Sequence, residues 1–317
     1  MIERNQTIDI LRCIGLLLVI AAHCSFNSTF FELREFDVVL LVFCSGASFM
    51  LSNKNENYIS YVIKRFKRIV LPVWLFLIIF LPFHFYFGDT SFSLSFVLKT
   101  FLLTTGGLMF VWVFRIFFTT ALCNPILKKI GDKVPHILLL GLLVVCINDA
   151  LLIVSRKYLT GGVLTLFEYI ISYTISYAMI SLYGMYGFFL EKKKKWIVVL
   201  ISLAIYLILG YTNSFSSLYD AKYPPTLYYI SYGIFWSSLL SILFDRVHLE
   251  NKFGDKISWI SKYSMTIYMW HIVVYYALAD GLISLGNNAV ITYIFIIVCS
   301  IVCTLISNKI KVTWSKK

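Results

Sequence analysis

Arg12 and His23 lie eleven residues apart in a stretch that is otherwise almost wholly apolar. At about 100° per residue a helix brings them to one face, roughly three turns and 16 Å apart along its axis. Arg12 then falls just inside the cytoplasmic boundary of a membrane and His23 in the outer half, so one stripe lines a polar path across much of the bilayer. Arg65 and Arg68, three apart in Arg65-Phe66-Lys67-Arg68, set two guanidinium forks on one helical face at the surface, the arrangement that grips phosphate groups. Arg115 lies in an apolar helix end assigned to the same side, where all four arginines converge on one mouth. His271, in Tyr268-Met269-Trp270-His271, is a further ionisable group within a span. Such a group costs at least about 2.5 kcal/mol near the bilayer centre, and therefore usually faces a polar cavity or a partner.

Each assignment has a plainer counterpart. Asp9 and Arg12, three apart, satisfy each other on one helix, and His23 then merely donates to a neighbouring helix; the residues alone leave both readings open. For His271 by itself the structural reading weighs more. The Arg65 to Arg68 cluster also suits a topology anchor, and the run Lys192 to Lys195 is read as nothing else. Tyr169, Tyr173 and Tyr177, beside Ser172 and Ser176, form either a sugar-stacking face or, the weightier reading, a helix-packing seam. Asp149 and Glu168 are expected to pair with Arg156 or Lys157, and His84 to sit at the interface.

The elements that must position these groups follow from composition. Of 317 residues 59% are apolar and 14% charged, and the mean hydropathy is +0.81. A globular domain carries about 45–50% and 25%, so the excess needs lipid to cover it. Runs long enough to cross a bilayer, about 17 to 25 residues, fall near 8–26, 36–52, 69–87, 97–120, 136–155, 164–190, 196–212, 226–244, 263–283 and 288–307. The expected fold is all-α: a polytopic integral membrane protein of about ten transmembrane helices, a single membrane domain over 1–317 with no soluble domain.

Of 28 Lys and Arg, 21 fall on one side of these spans, among them Arg4, Lys54, Arg246, Lys311, Lys316 and Lys317. The opposite loops hold Arg34, Lys99, Arg156, Lys157 and Lys222. This asymmetry puts the N- and C-termini in the cytoplasm of a multi-pass inner (plasma) membrane protein. The first run, with Asp9 and Arg12 inside it, reads as a retained helix rather than a cleaved signal. The formal charge of +12 is dispersed in short clusters between apolar runs, which excludes nucleic acid as a partner. Seven cysteines, nearly all inside apolar segments and without CxxC or Cys/His clusters, argue against a disulfide framework and against a metal site. Oligomeric state has no sequence signature here.

At these residues the chain resembles the acyltransferase 3 family of membrane acyltransferases. Arg12, ten intervening residues and His23 are similar to the family's first-helix signature. Phe43-Cys44-Ser45-Gly46-Ala47 resembles its Phe-x-Ser-Gly-aromatic segment, with Ala47 in place of the usual aromatic. Arg65-Phe66-Lys67-Arg68, followed by Pro72, resembles its Arg-x-x-Arg element, and Val111-Trp112-Val113-Phe114-Arg115 its Trp-Phe-x-Arg stretch. Tyr223-Pro224-Pro225-Thr226-Leu227 and Ile260 to His271 are similar to its late segments. The resemblance implies acyl-CoA, acetyl-CoA first, as donor substrate and a hydroxyl as acceptor, on a cell-surface polysaccharide or its lipid-linked precursor.

Transfer from a thioester to a hydroxyl needs a base for the hydroxyl proton and donors for the developing oxyanion. His23 is assigned the base, since an imidazole titrates near neutrality; a covalent acyl-histidine ranks second. Arg12, Arg65, Arg68 and Arg115 are assigned to the donor's charged groups, with Arg12 also counted in the catalytic set, and His271 to orienting the acceptor or His23. The competing class is a transporter or flippase with Arg12, His23 and Arg115 along its path. Against it stand the missing internal repeat and the missing pair of broken helices at matching positions. A purely structural scaffold is a third reading, which the intramembrane charges disfavour.

Overall fold

A computed structural model describes residues 5–52, 56–88, 92–245, 247, 249, 251–285 and 288–314. Arg4, Lys54, Arg246, Lys316 and Lys317, counted in the charge asymmetry, lie outside the described residues, as does the side chain of Lys311. Among the described residues the chain is helical, without strands beyond one bridge between Lys222 and Pro225.

Helix α1 (Gln6–Ala21) begins where the Asn5 side chain accepts the Ile8 N–H, and a short α2 (Ser28–Leu33) is capped in the same way by Asn27. There follow α3 (Asp37–Leu51), α4 (Tyr58–Phe87, containing Pro72 and Pro82), α5 (Leu94–Phe101), α6 (Trp112–Gly131) and α7 (Ile137–Tyr158). Next, α8 (Gly161–Leu166) runs through a π-helical turn (Phe167–Ser172) into α9 (Tyr173–Leu182) and a second such turn (Tyr183–Gly187). The chain ends with α10 (Lys192–Thr212), α11 (Leu227–Leu243), α12 (Asn251–Lys262), α13 (Ser264–Ala279) and α14 (Ala289–Trp314).

Among the described residues five helices are long and apolar enough to cross a membrane: Tyr58–Phe87, Ile137–Tyr158, Gly161–Gly187, Lys192–Thr212 and Ala289–Lys309. Several turn large apolar side chains outward, such as Ile78 and Ile79 on α4, Leu139 and Ile153 on α7, Leu200 and Ile208 on α10 and Ile294 on α14. Water would not tolerate such a surface, and lipid does. The interior belongs to α1, α3, α9 and α11, most of whose residues are buried.

The stretch expected as one span over 97–120 is two helices. After α5 the chain reverses, with Leu103 at a φ of 56°. Trp74 Nε1 donates to the Phe101 carbonyl at 2.8 Å, and the Leu108 N–H donates to Thr100 Oγ1 at 2.9 Å. Gly107 lies so close to the Thr100 backbone that a Cβ has no room. Helix α6 therefore restarts at Trp112, and Arg115 stands one turn from its N-terminal end rather than near the C-terminal end of a longer helix. In the same way α1 ends at Ala21, so His23 occupies the turn beyond it, its N–H donating to the Ile20 carbonyl at 3.1 Å.

Helix α3 packs on α1, α6, α9 and α11. Gly15 of α1 meets the Leu41 side chain, while Gly46 faces the Ser181 carbonyl and Gly184 the backbone of Phe43, so neither of the last two can carry a Cβ as placed. In lipid, close packing of small residues replaces the hydrophobic effect as the force between helices. Gly46→Ala is expected to push α3 from α9 and to cost about 1–3 kcal/mol, read as a lower thermal midpoint in detergent. An unchanged midpoint would mean that the two backbones are not in contact.

Candidate active site

At the end of the bundle where α4 begins, a cavity of about 730 Å³ opens between α1, α3, α4, α6 and α12–α13, lined by Arg12, Arg65, Arg68, Ser48, Asn124, Ser261 and Tyr268 among others. Arg12 is fixed by hydroxyls from two helices: Nη2 donates to Ser48 Oγ at 2.7 Å and Nη1 to Ser261 Oγ at 3.1 Å. Ser261 in turn donates to Asp9 Oδ1 at 2.6 Å, and Ser258 to Asp9 Oδ2 at 3.1 Å. Asp9 and Arg12 thus share Ser261, and the guanidinium is aimed sideways into the cavity. Arg68 is exposed at the mouth, and Arg65, half-buried, lies with its guanidinium 4.8 Å from the centre of the Tyr61 ring. Three guanidinium groups around one cavity suit phosphate and carboxylate oxygens.

The histidines are brought together, but elsewhere. The His23 and His271 rings stack at 5.4 Å, and Phe110 presents its ring to His23 at 4.1 Å. His271 is fully buried, and its Nδ1 is bonded to the carbonyl of Tyr268. A carbonyl only accepts, so Nδ1 carries the proton and Nε2 of the neutral ring is an acceptor, without a partner among the described residues. Neither histidine lines the arginine cavity. Between them stands Tyr268, which lines the cavity, lies 4.5 Å from the His271 ring and donates from its hydroxyl to the Phe110 carbonyl at 2.8 Å.

Two expectations are corrected here. The continuous polar stripe from Arg12 to His23 is absent: Leu16, Val19 and Ile20 are packed in the core, and α1 stops before His23. Nor does Arg115 join the other arginines. The break before α6 carries it to the opposite half, where its guanidinium lies 5.2 Å from the centre of the Tyr173 ring. Glu168 pairs with Arg156 at 2.7 Å, as expected, whereas His84 is buried beside Asp280, with 3.8 Å between Nδ1 and Oδ2.

One group escaped the sequence reading. Arg34, Glu35, Asp37 and Lys222 are all buried in a single ion-pair cluster. Arg34 bonds Glu35 and Asp37, each at 2.6 Å, and Lys222 Nζ reaches Glu35 at 2.9 Å and Asp37 at 3.7 Å. Lys222 lies on the loop between α10 and α11. Burial works against its charged form, but Asp37 and Glu35 outweigh burial and hold its ammonium well above the ordinary lysine range. The usable signal was three charges within four residues, Arg34 to Asp37, directly before an apolar helix. Among the described residues no group of three or more His, Cys, Asp and Glu side chains is placed to hold a metal ion.

An all-helical, lipid-facing fold with an arginine-lined cavity and a histidine pair defines a membrane protein with the parts of a group-transfer site. Residues 5–309 match the family model of acyltransferase 3, described as an acyltransferase domain. This covers nearly the whole chain, which belongs to that family and is a membrane acyltransferase. Comparison with curated proteins and with solved structures gives no match.

Lys222→Met would leave Glu35 and Asp37 buried with Arg34 alone. Breaking such a network by removing one partner typically costs about 3–5 kcal/mol, and a thermal midpoint in detergent lowered accordingly is expected. Adding Glu35→Gln to that variant should restore part of the loss. A midpoint equal to wild type in the single variant would show that the cluster is not buried.

Proposed function

We propose that the protein is an O-acyltransferase, in the first place an O-acetyltransferase, that moves an acyl group from cytoplasmic acyl-CoA to a hydroxyl of a cell-surface polysaccharide or its lipid-linked precursor. The observation that carries this reading is the pairing of an arginine cavity at one end of the bundle with two stacked imidazoles behind its inner wall. Placement in the inner membrane, ten spans and cytoplasmic termini belong to the same proposal. Helical segments lie in all ten apolar runs, two of them in 97–120, and the arginine mouth lies at the Lys- and Arg-rich end.

In this mechanism Arg65 and Arg68 hold phosphate oxygens of the donor at the mouth and Arg12 holds a charge deeper in. The thioester reaches the imidazoles past Tyr268. His23, only partly buried, takes the proton of the acceptor hydroxyl as its oxygen bonds to the thioester carbon. The carbon–sulfur bond then breaks, and the proton leaves with the CoA thiolate. His271, with Nδ1–H fixed by the backbone, offers Nε2 to orient the acceptor hydroxyl or the His23 ring.

Membranes containing the protein, given acetyl-labelled acetyl-CoA and de-O-acylated surface polysaccharide, are expected to form labelled ester. Label carried across without ester would instead indicate a transporter. His23→Ala is expected to abolish ester formation while the protein accumulates normally, and wild-type activity in that variant would remove His23 from the chemistry. Arg65→Ala and Arg68→Ala should each raise the half-saturating acetyl-CoA concentration about tenfold or more, as loss of a charged hydrogen bond does, with a smaller effect on the rate at saturation. An unaltered donor affinity would return both to topology anchors.

A further inference from the structure

The ion-pair cluster is surrounded by buried hydrogen-bonding atoms that the fold leaves unused. Tyr173, Tyr177 and Tyr229 are almost completely buried, yet none of their hydroxyls has a hydrogen-bond partner among the described residues, and the same holds for Arg115 Nη2. These atoms belong to one place. The Tyr173 and Tyr177 rings are 5.2 Å apart, Arg115 lies over Tyr173, and Lys222 stands 6.0 Å from the Tyr229 ring centre and 5.7 Å from that of Trp112. A buried polar group without a partner is destabilising. Four gathered in one region point to something with several hydrogen-bonding groups that satisfies them when it is present.

We propose that this region is the acceptor pocket and that it takes a hydroxyl-rich ligand, a sugar unit that is neutral or carries one negative charge. The inference rests on the acyl-transfer reading and adds to it the position of the acceptor. Its chemistry follows from the side chains. Phenol hydroxyls both donate and accept, as sugar hydroxyls do. The charges of Arg34 and Lys222 are matched by Glu35 and Asp37, so Arg115 is the surplus cation and admits one anionic group at most. Trp112 and Tyr223, whose rings meet at 5.2 Å, supply aromatic walls. The loop that carries Lys222 and Tyr223 forms the outer wall, fastened to the other side by Glu32, which accepts from Ser217 Oγ at 2.6 Å and the Leu218 N–H at 2.9 Å.

The pocket also adjoins the reacting groups. Trp112 and Arg115 belong to the first turn of α6, just after Phe110, whose ring touches His23. Lys222 stands over the ring of Trp112 in that same turn. A sugar held by the tyrosines therefore presents a hydroxyl beside the imidazoles, on the far side of Tyr268 from the arginine cavity.

Tyr177→Phe and Tyr229→Phe test the assignment, because each deletes one hydroxyl that has no partner among the described residues. Neither variant should lower the thermal midpoint in the absence of acceptor. De-O-acylated surface polysaccharide is expected to raise the midpoint of the wild type and to raise that of either variant less. In the transfer assay each variant should show a KM for the polysaccharide raised about five- to tenfold, the effect of one lost hydrogen bond, with acetyl-CoA binding unchanged. If the polysaccharide does not shift the wild-type midpoint, the pocket assignment fails, whether or not ester is formed. Equal shifts and equal KM values in wild type and both variants would assign the hydroxyls to bound water. Absence of ester formation with the midpoint shifts intact would overturn the acyl-transfer reading and leave the pocket standing.

Discussion

Helix α3 joins the two charged ends of the site, and it does so because it is held against its neighbours at backbone distance. Its first turn carries Asp37, which binds Arg34 and Lys222, and its last turn carries Ser48, which binds Arg12. The two ends of the site are thus built on one rigid rod. In a bilayer no solvent presses helices together, so their spacing depends on contact surfaces alone. Gly46 against Ser181 and Gly184 against Phe43 remove the side chains that would keep α3 away from the α9 segment. A shift of α3 by the width of a methyl group would be felt at both the arginine and the carboxylate ends.

The two ends treat charge differently. The cluster of Arg34, Glu35, Asp37 and Lys222 is closed, with two cations and two anions at hydrogen-bond distance or slightly beyond, and it ties the chain before α3 to the loop before α11. Burying four charges is tolerable only when each is paired and bonded. The arginine end is open. Arg12 is positioned by neutral hydroxyls, an arrangement that orients a guanidinium without cancelling its charge, and Arg65 and Arg68 remain at the mouth. Charge is neutralised where the structure needs a join and left accessible at the cavity.

Much of this was legible in the sequence because it depends on local spacing. The three-residue interval of Arg65 and Arg68, and the position of Arg12 near a helix start, placed all three on one cavity. What failed was extrapolation across helix ends. Periodicity sees no difference between a continuous helix over 97–120 and one interrupted at Leu103 to Gly107, since the interrupting residues are themselves mostly apolar or small. That break moved Arg115 to the opposite half of the site. The end of α1 at Ala21 likewise released His23 from the stripe it shares with Arg12 on paper. The Glu35–Lys222 pair joins residues 187 positions apart, and no local pattern encodes such a contact; charged loop residues are read as solvated unless the fold shows otherwise.

The wall between the arginine cavity and the histidines has a chemical consequence on the proposed reading. A thioester is open to attack by water as well as by a sugar hydroxyl, and an enzyme that makes esters gains by keeping water from the reacting carbon. The cavity carries the guanidinium groups and is open at the mouth, while His271 and Phe110 are buried. Tyr268 separates them by the thickness of one side chain, pinned through its hydroxyl to Phe110 and through its carbonyl to His271. The same residue therefore closes the passage and fixes the tautomer of the ring behind it, so the passage cannot open by backbone movement at Tyr268 without also disturbing the imidazole. Rotation of the Tyr268 side chain alone escapes that coupling: it breaks only the bond to Phe110, leaves the backbone bond to His271 in place and, on the proposed reading, admits the donor arm to the base His23 beside an orienting ring whose tautomer is already set.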